Sequence, residues 1–193
     1  DYTTQFFGNN DTRFSLVYVA KSGEPYSVTF DGYDDAFSND RTDGGYDAAY
    51  IPTGASDPNV VFASSSVADA VMAHVNGSGL AGYKGQIVPR NAFNSPWIRT
   101  LDLRITQDIN IANDHKVIVY LDVTNLLNLI DDEDGIIREY SNRSRQIILD
   151  EDNPYDSQGR YNIVGVDPDD GLFVQNRAGQ SSYQWNLGFK YQF

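Results

Sequence analysis

The chain has 193 residues, with 14 Lys and Arg against 27 Asp and Glu, a net charge of −13, two His and no Cys. That charge argues against nucleic-acid phosphates as partners. The missing Cys excludes a disulfide framework, a zinc-thiolate cluster or a thiol nucleophile, and two His argue against a histidine-rich catalytic centre. Aromatics make up 13% of the chain although mean hydropathy is −0.45, a combination that strands with one apolar face and long polar loops produce. No run approaches the roughly 18 apolar residues of a membrane helix.

The first predicted element is a hairpin. A strand over residues 12–20 puts Phe14, Leu16 and Tyr18 on one face, and Lys21-Ser22-Gly23-Glu24 reads as a turn. A strand over 25–31 then sets Tyr26, Val28 and Phe30 opposite Ser27, Thr29 and Asp31. A long polar segment, 32–96, follows. Near 66–75 it carries a helical pattern in which Val67, Ala70, Val71, His74 and Val75 share a face, with Asn76-Gly77 as a stop signal.

The strand over 97–109 places Trp97, Leu101, Leu103, Ile105 and Ile109 opposite Thr100, Asp102, Arg104 and Thr106. Residues 110–115, rich in Asn and Asp, read as a tight turn. The strand over 116–126 returns with Val117, Val119, Leu121 and Val123 opposite Tyr120, Asp122 and Thr124. In the second polar segment, 127–182, Ile136-Ile137 and Ile147-Ile148-Leu149 suggest a small hairpin. The last strand, 183–193, alternates without a break. Tyr183, Trp185, Leu187, Phe189, Tyr191 and Phe193 face one way, and Gln184, Asn186, Gly188, Lys190 and Gln192 the other.

The fold class expected is all-β. At about 3.3 Å per residue and a tilt near 45°, the last strand is long enough for the roughly 25 Å apolar band of an outer-membrane barrel. A soluble sandwich core would accept the same alternation. Aromatics at both strand ends favour the membrane, where Trp and Tyr mark the interfaces; Tyr18, Tyr26, Trp97, Tyr183, Trp185 and Tyr191 are the candidates. Polar Asp102, Arg104, Asp122, Asn186 and Lys190 would then face the lumen, where a charged pair is tolerated better than in a dry core. With Phe193 at the periplasmic end, both tight turns are expected to be periplasmic and both long loops extracellular. Five strands do not close a barrel, so further strands are expected from residues before Asp1, where the chain starts without Met or a signal-like segment.

Several segments resemble the TonB-dependent outer-membrane receptors, in particular their Oar-like branch. Ser22-Gly23-Glu24-Pro25-Tyr26-Ser27 is similar to that family's SGxPYS turn, and Asp47-Ala48-Ala49-Tyr50-Ile51-Pro52 to its NDLxYIP segment. Pro89-Arg90-Asn91, Pro96-Trp97 and Leu101-Asp102-Leu103-Arg104 resemble its RN…PW…LDLR run, and residues 121–128, LDVTNLLN, its xDVxNLLN strand end. Asn186, Gly188, Tyr191 and Phe193 resemble the terminal signal read by barrel-assembly machinery. The resemblance spans nearly the whole chain but only the C-terminal part of the family's barrel. It implies roughly 22 strands in all, a size associated with plugged transporters, together with a plug domain, a TonB-binding segment outside these residues, outer-membrane lipid and lipopolysaccharide as surroundings, and a ligand or surface lipoprotein at the loops.

Acidic clusters raise calcium as a ligand, through Asp31, Asp34, Asp35 and Asp43 or through Asp131, Asp132 and Asp134. Neither keeps EF-hand spacing, and a solvated acidic loop has the same composition. No G-x-S-x-G elbow or motif-embedded His supports catalysis, so the chain reads as no enzyme, with no cofactor. His74 is expected on a loop helix and His115 as an exposed group beside a turn. Candidate loop contacts for a ligand are Tyr33, Phe37, Tyr46, Tyr155 and Tyr161. The rival readings are a surface interaction module without transport and a soluble β-sandwich binding domain.

Overall fold

The structure, a computed structural model, describes residues 1–31, 47–111, 115–175 and 180–193. It is predominantly β. In chain order the elements are β1 (Tyr2–Phe7), β2 (Asn10–Lys21), β3 (Pro25–Asp31), β4 (Val60–Phe62), α1 (Ser65–Gly77), a 3-10 turn (Gly79–Tyr83), β5 (Phe93–Asn94), β6 (Ile98–Asn110), β7 (Lys116–Thr124), α2 (Leu126–Ile130), β8 (Arg138–Tyr140), β9 (Arg143–Leu149), β10 (Tyr161–Val166), β11 (Leu172–Val174) and β12 (Gln184–Gln192). They fall into two compact units. The first comprises Asp1–Gly23, Pro96–Arg138 and Val174–Phe193; the second comprises Glu24–Ser95 and Glu139–Phe173.

Unit 1 is a five-stranded antiparallel sheet in the order β1-β2-β6-β7-β12. It is open, with β1 and β12 at its edges. Phe14 pairs with Ile105, Ile105 with Leu121 and Leu121 with Leu187, so one apolar row crosses four strands. Strict alternation fixes this register, because a one-residue slip would carry every apolar side chain to the polar face. The strands over 97–109, 116–126 and 183–193 are thus found close to their predicted bounds. β7 stops at Thr124, however, because Asn125 is left-handed (φ 54°) and Leu126 and Leu127 open the short α2 instead of extending the strand.

The expected first hairpin does not form. β2 pairs along Thr12–Lys21 with β6, not with β3, and its other neighbour is β1, which sequence reading left out. β1 and β2 meet at Gly8-Asn9, where Gly8 takes φ 65° as a two-residue hairpin turn requires. The orientation changes with it. The end of β2 at Lys21 pairs with Ile98, where β6 begins, so residues 21–24 leave the sheet at the end opposite the β6–β7 turn. Short turns do cluster at one end, but they are Gly8-Asn9 and 110–115; residues 112–114 lie outside the described ones.

Unit 2 replaces much of the two expected polar loops. It is a mixed five-stranded sheet ordered β4-β10-β9-β3-β5, with β3 parallel to β9, β4 parallel to β10 and the other pairs antiparallel. Tyr26, Val28, Phe30, Ala49, Ile51, Val71, Val75, Leu80, Ile147, Leu149 and Ile163 form its core. The apolar face of β3 is therefore covered by protein. Tyr26 is 8% exposed and stacks on Tyr140 at 4.3 Å, which removes it from the interface aromatics. The helix expected near 66–75 is α1, capped by the Ser64 hydroxyl, which accepts from Val67 N–H. Its buried side chains are Ala68, Val71 and Val75, whereas Ala70 is exposed. Ile147-Ile148-Leu149 lies in β9 as expected for β-like residues, but its partners are β3 and β10 rather than the segment at Ile136-Ile137.

Candidate functional site

The largest chemical contrast in unit 1 is between the two faces of its sheet. One face carries Phe14, Leu16, Tyr18, Leu101, Leu103, Ile105, Ile109, Val117, Val119, Leu121 and Val123, then Trp185, Leu187, Phe189 and Tyr191 of β12. Tyr2 and Phe6 of β1 join it, their rings 6.5 and 6.2 Å from Phe14. It is interrupted by Thr12 and Gln107, which hydrogen-bond each other. Large apolar side chains on it are open: Trp185 is 64% exposed, Leu187 62% and Phe189 76%. Exposed apolar surface on this scale marks a site that meets another apolar phase or partner. Tyr18, Trp97, Tyr183 and Trp185 lie near one end of the strands, and Phe6, Tyr191 and Phe193 near the other. Leu and Ile occupy the middle.

The opposite face is polar and ion-paired. Arg104 meets Asp122 in a fork, Nε to Oδ1 at 2.5 Å and Nη2 to Oδ2 at 2.8 Å, the geometry that makes Arg–carboxylate pairs directional. The Arg104 guanidinium also lies 5.7 Å from the Tyr120 ring centroid. Tyr120 is opposite Gly188, and a Cβ at Gly188 would run into the Tyr120 ring. That close approach explains a glycine in the middle of β12. Asn186 stands opposite Asp122, and Lys190 opposite Ile118. Asp108, overlooked in the sequence, is the buried member of this face. It accepts from Arg13 Nη2 at 2.6 Å and from Lys116 Nζ at 2.7 Å. Its position on the polar phase of β6, opposite the start of β7, was the available signal.

Asp102 has another role. Its Oδ1 accepts from the backbone N–H of the buried Asn125 at 2.8 Å, and Asn125 Nδ2 donates to the carbonyl of Gly135 at 2.9 Å. Asn128 Nδ2 likewise holds the carbonyls of Asp132 and Asp134, while its Oδ1 accepts from Tyr183 N–H. The LDLR and LDVTNLLN segments therefore meet in one hydrogen-bonded corner that fixes the acidic turn at 131–135.

Among the described residues, no group of three or more His, Asp or Glu side chains is gathered as a metal would need. Asp131 accepts from Glu133 N–H, and Asp31 pairs with Arg145 at 3.1 Å. Asp34, Asp35 and Asp43 lie outside the described residues, as do Tyr33, Phe37 and Tyr46. Tyr155 and Tyr161 are half-buried and pack together, with Tyr161 also against Tyr50 and Phe30 at 5.4 and 5.0 Å. Burial pushes the phenols of both above the ordinary tyrosine value. They serve the core of unit 2 before any ligand. His74 Nε2 is 3.0 Å from Gln146 Oε1, and His115 stacks on Tyr191 with Nδ1 2.7 Å from its hydroxyl.

Other segments singled out in the sequence converge in unit 2. The Ser27 hydroxyl accepts from Asn91 N–H at 2.9 Å and faces Asn91 Oδ1 at 3.3 Å, holding Asn91 at φ 57°. Ala49 N–H bonds to Val28 carbonyl and Val88 N–H to Ala49 carbonyl, so residues 48–51 run between β3 and residues 84–88, beside the Ser27–Asn91 contact. No family model matches the chain, and no curated protein or solved structure does.

Proposed function

We propose that these residues form part of the wall of a Gram-negative outer-membrane β-barrel of the TonB-dependent receptor kind, which takes up a nutrient ligand by energised movement of a plug. The observation that carries this reading is the two-faced sheet. An apolar face open across five strands, belted by aromatics at both ends, suits lipid, and an ion-paired polar face suits a lumen. The long connections leave from one end of the sheet and the short turns from the other, the asymmetry such barrels have between exterior and periplasm. On this reading unit 2 is the fold of the outer connections. The two open edges require further strands, since a sheet in lipid must close. The plug, TonB and the assembly machinery enter through the resemblance alone, and the nutrient class stays open.

A second reading has its own support. The outer connections fold around a hydrophobic core, as a surface module that binds a partner without transport would.

The intact mass of the natural chain from detergent-extracted outer membranes separates the two. A mass several times 21.5 kDa, with a plug among the additional residues, is expected for the receptor. A mass near 21.5 kDa would end that reading in favour of a module whose strands close with other chains. Recovery without detergent would remove the membrane from both.

A further inference from the structure

Unit 2 contains an open pocket of about 360 Å³ lined by Ser27, Thr29, Arg90, Asn91, Asn142 and Arg143. Among the described residues, that lining holds two arginines and no carboxylate, in a chain with 27 Asp and Glu against 14 Lys and Arg. A cleft walled by one sign of charge concentrates the opposite charge from solution. The volume suits a small ligand or one end of a larger one, since ligand pockets begin at about 300 Å³.

Three details make this a built pocket. Arg90 is exposed and has no ion pair among the described residues, whereas Arg145 further along β9 is held by Asp31 at 3.1 Å and Asp170 at 3.5 Å. The backbone that presents Arg90 is fixed by its neighbour. Asn91 takes a left-handed conformation, uncommon outside glycine, and the Ser27 hydroxyl anchors it. Thr29, 3% exposed, has a buried hydroxyl that makes no hydrogen bond among the described residues. Such a group costs stability unless something outside the chain completes it.

We infer that this pocket binds an oxyanion, a carboxylate or phosphate group of a small ligand, gripped by the Arg90 guanidinium and completed by the Thr29 hydroxyl. Arg143 adds positive potential while keeping its own interaction within the protein. Arginine suits this role because its planar fork meets two oxygens of one anion at once. The inference concerns unit 2 alone and does not depend on the receptor reading.

The test is the ³¹P line width of inorganic phosphate mixed with the full chain in non-ionic detergent, at constant ionic strength set with chloride. The wild-type chain is expected to broaden the line, and Arg90→Ala to weaken binding about ten-fold, the loss of a charge-assisted bond. Arg90→Lys should recover part of it, charge without the fork. Thr29→Val should also weaken binding while raising thermal stability in the absence of phosphate, because it removes an unpaired buried hydroxyl; a purely structural threonine would show no such opposition. Acetate that displaces phosphate assigns carboxylates to the site as well, and acetate that does not restricts it to phosphate. No broadening by the wild-type chain, or equal broadening by Arg90→Ala, overturns the inference.

Discussion

Asp57 is a buried carboxylate that organises its surroundings through hydrogen bonds alone. Its Oδ2 accepts from Thr53 N–H at 2.7 Å, the Thr53 hydroxyl at 2.8 Å and the Tyr50 hydroxyl at 3.1 Å, and its Oδ1 accepts from Asn59 N–H at 2.8 Å. Burial pushes its pKa up, but these donors favour the ionised form more strongly and the net direction is down. A carboxylate with a lowered folded pKa stabilises the fold above the ordinary Asp value, and that stabilisation is lost as pH falls through the folded value. Asp57→Ala is therefore expected to destabilise unit 2 by about 1–3 kcal/mol at pH 7, since backbone donors are left unsatisfied. Between pH 7 and about 3 the gap between variant and wild type should narrow, as the unfolded chain's carboxylate takes up a proton that the folded one resists. Thermal melts followed by circular dichroism at the two pH values check this. A gap that does not change with pH would mean that Asp57 acts through shape and not through charge.

At the scale of single elements, β12 puts the membrane reading at risk most directly. Leu187 and Asn186 are neighbours in sequence, both exposed, and point to opposite faces of one strand. If the apolar face meets lipid, Leu187→Cys in native membranes should resist a water-soluble maleimide that labels Asn186→Cys, and both should react after denaturation. Equal labelling in the membrane would mean that water reaches both faces. The same strand shows what was legible in the sequence. β6, β7 and β12 alternate strictly, and their register follows from pattern alone. β1 was missed because Phe6-Phe7 breaks the alternation just before Gly8. β3 was the instructive failure: Tyr26, Val28 and Phe30 alternate as cleanly as β12 does. Alternation says that one face is apolar and not what covers it. In β3 the cover comes from residues far along the chain, through a parallel pairing with β9 that no local pattern announces. The candidate sites divide in the same way. The polar face was readable from spacing, whereas its Arg104–Asp122 pairing, Asp57, Asp108 and the Arg90 pocket depend on contacts between separate segments.

For the whole molecule, the division into two units predicts how the chain loses structure. Unit 2 is discontinuous, built from 24–95 and 139–173, so its core forms only when both segments are in place. Ile147, fully buried in β9 of the second segment, joins it to the first: it pairs with Phe30 of β3 on one side and with Val166 of β10 on the other. Ile147→Ala removes apolar volume from the middle of that core, a change that costs about 2–5 kcal/mol. Such a loss is felt throughout one cooperative unit and not beyond it. Hydrogen exchange on the full chain should therefore show faster exchange at amides of α1 and β3, elements remote from residue 147 in sequence, with β6, β7 and β12 keeping wild-type protection. The ladders of unit 1 rest on their own cross-strand bonds. A uniform loss across both sheets would show that the chain folds as one cooperative body, and an effect confined to β9 and its two neighbours would show that α1 draws its stability from elsewhere.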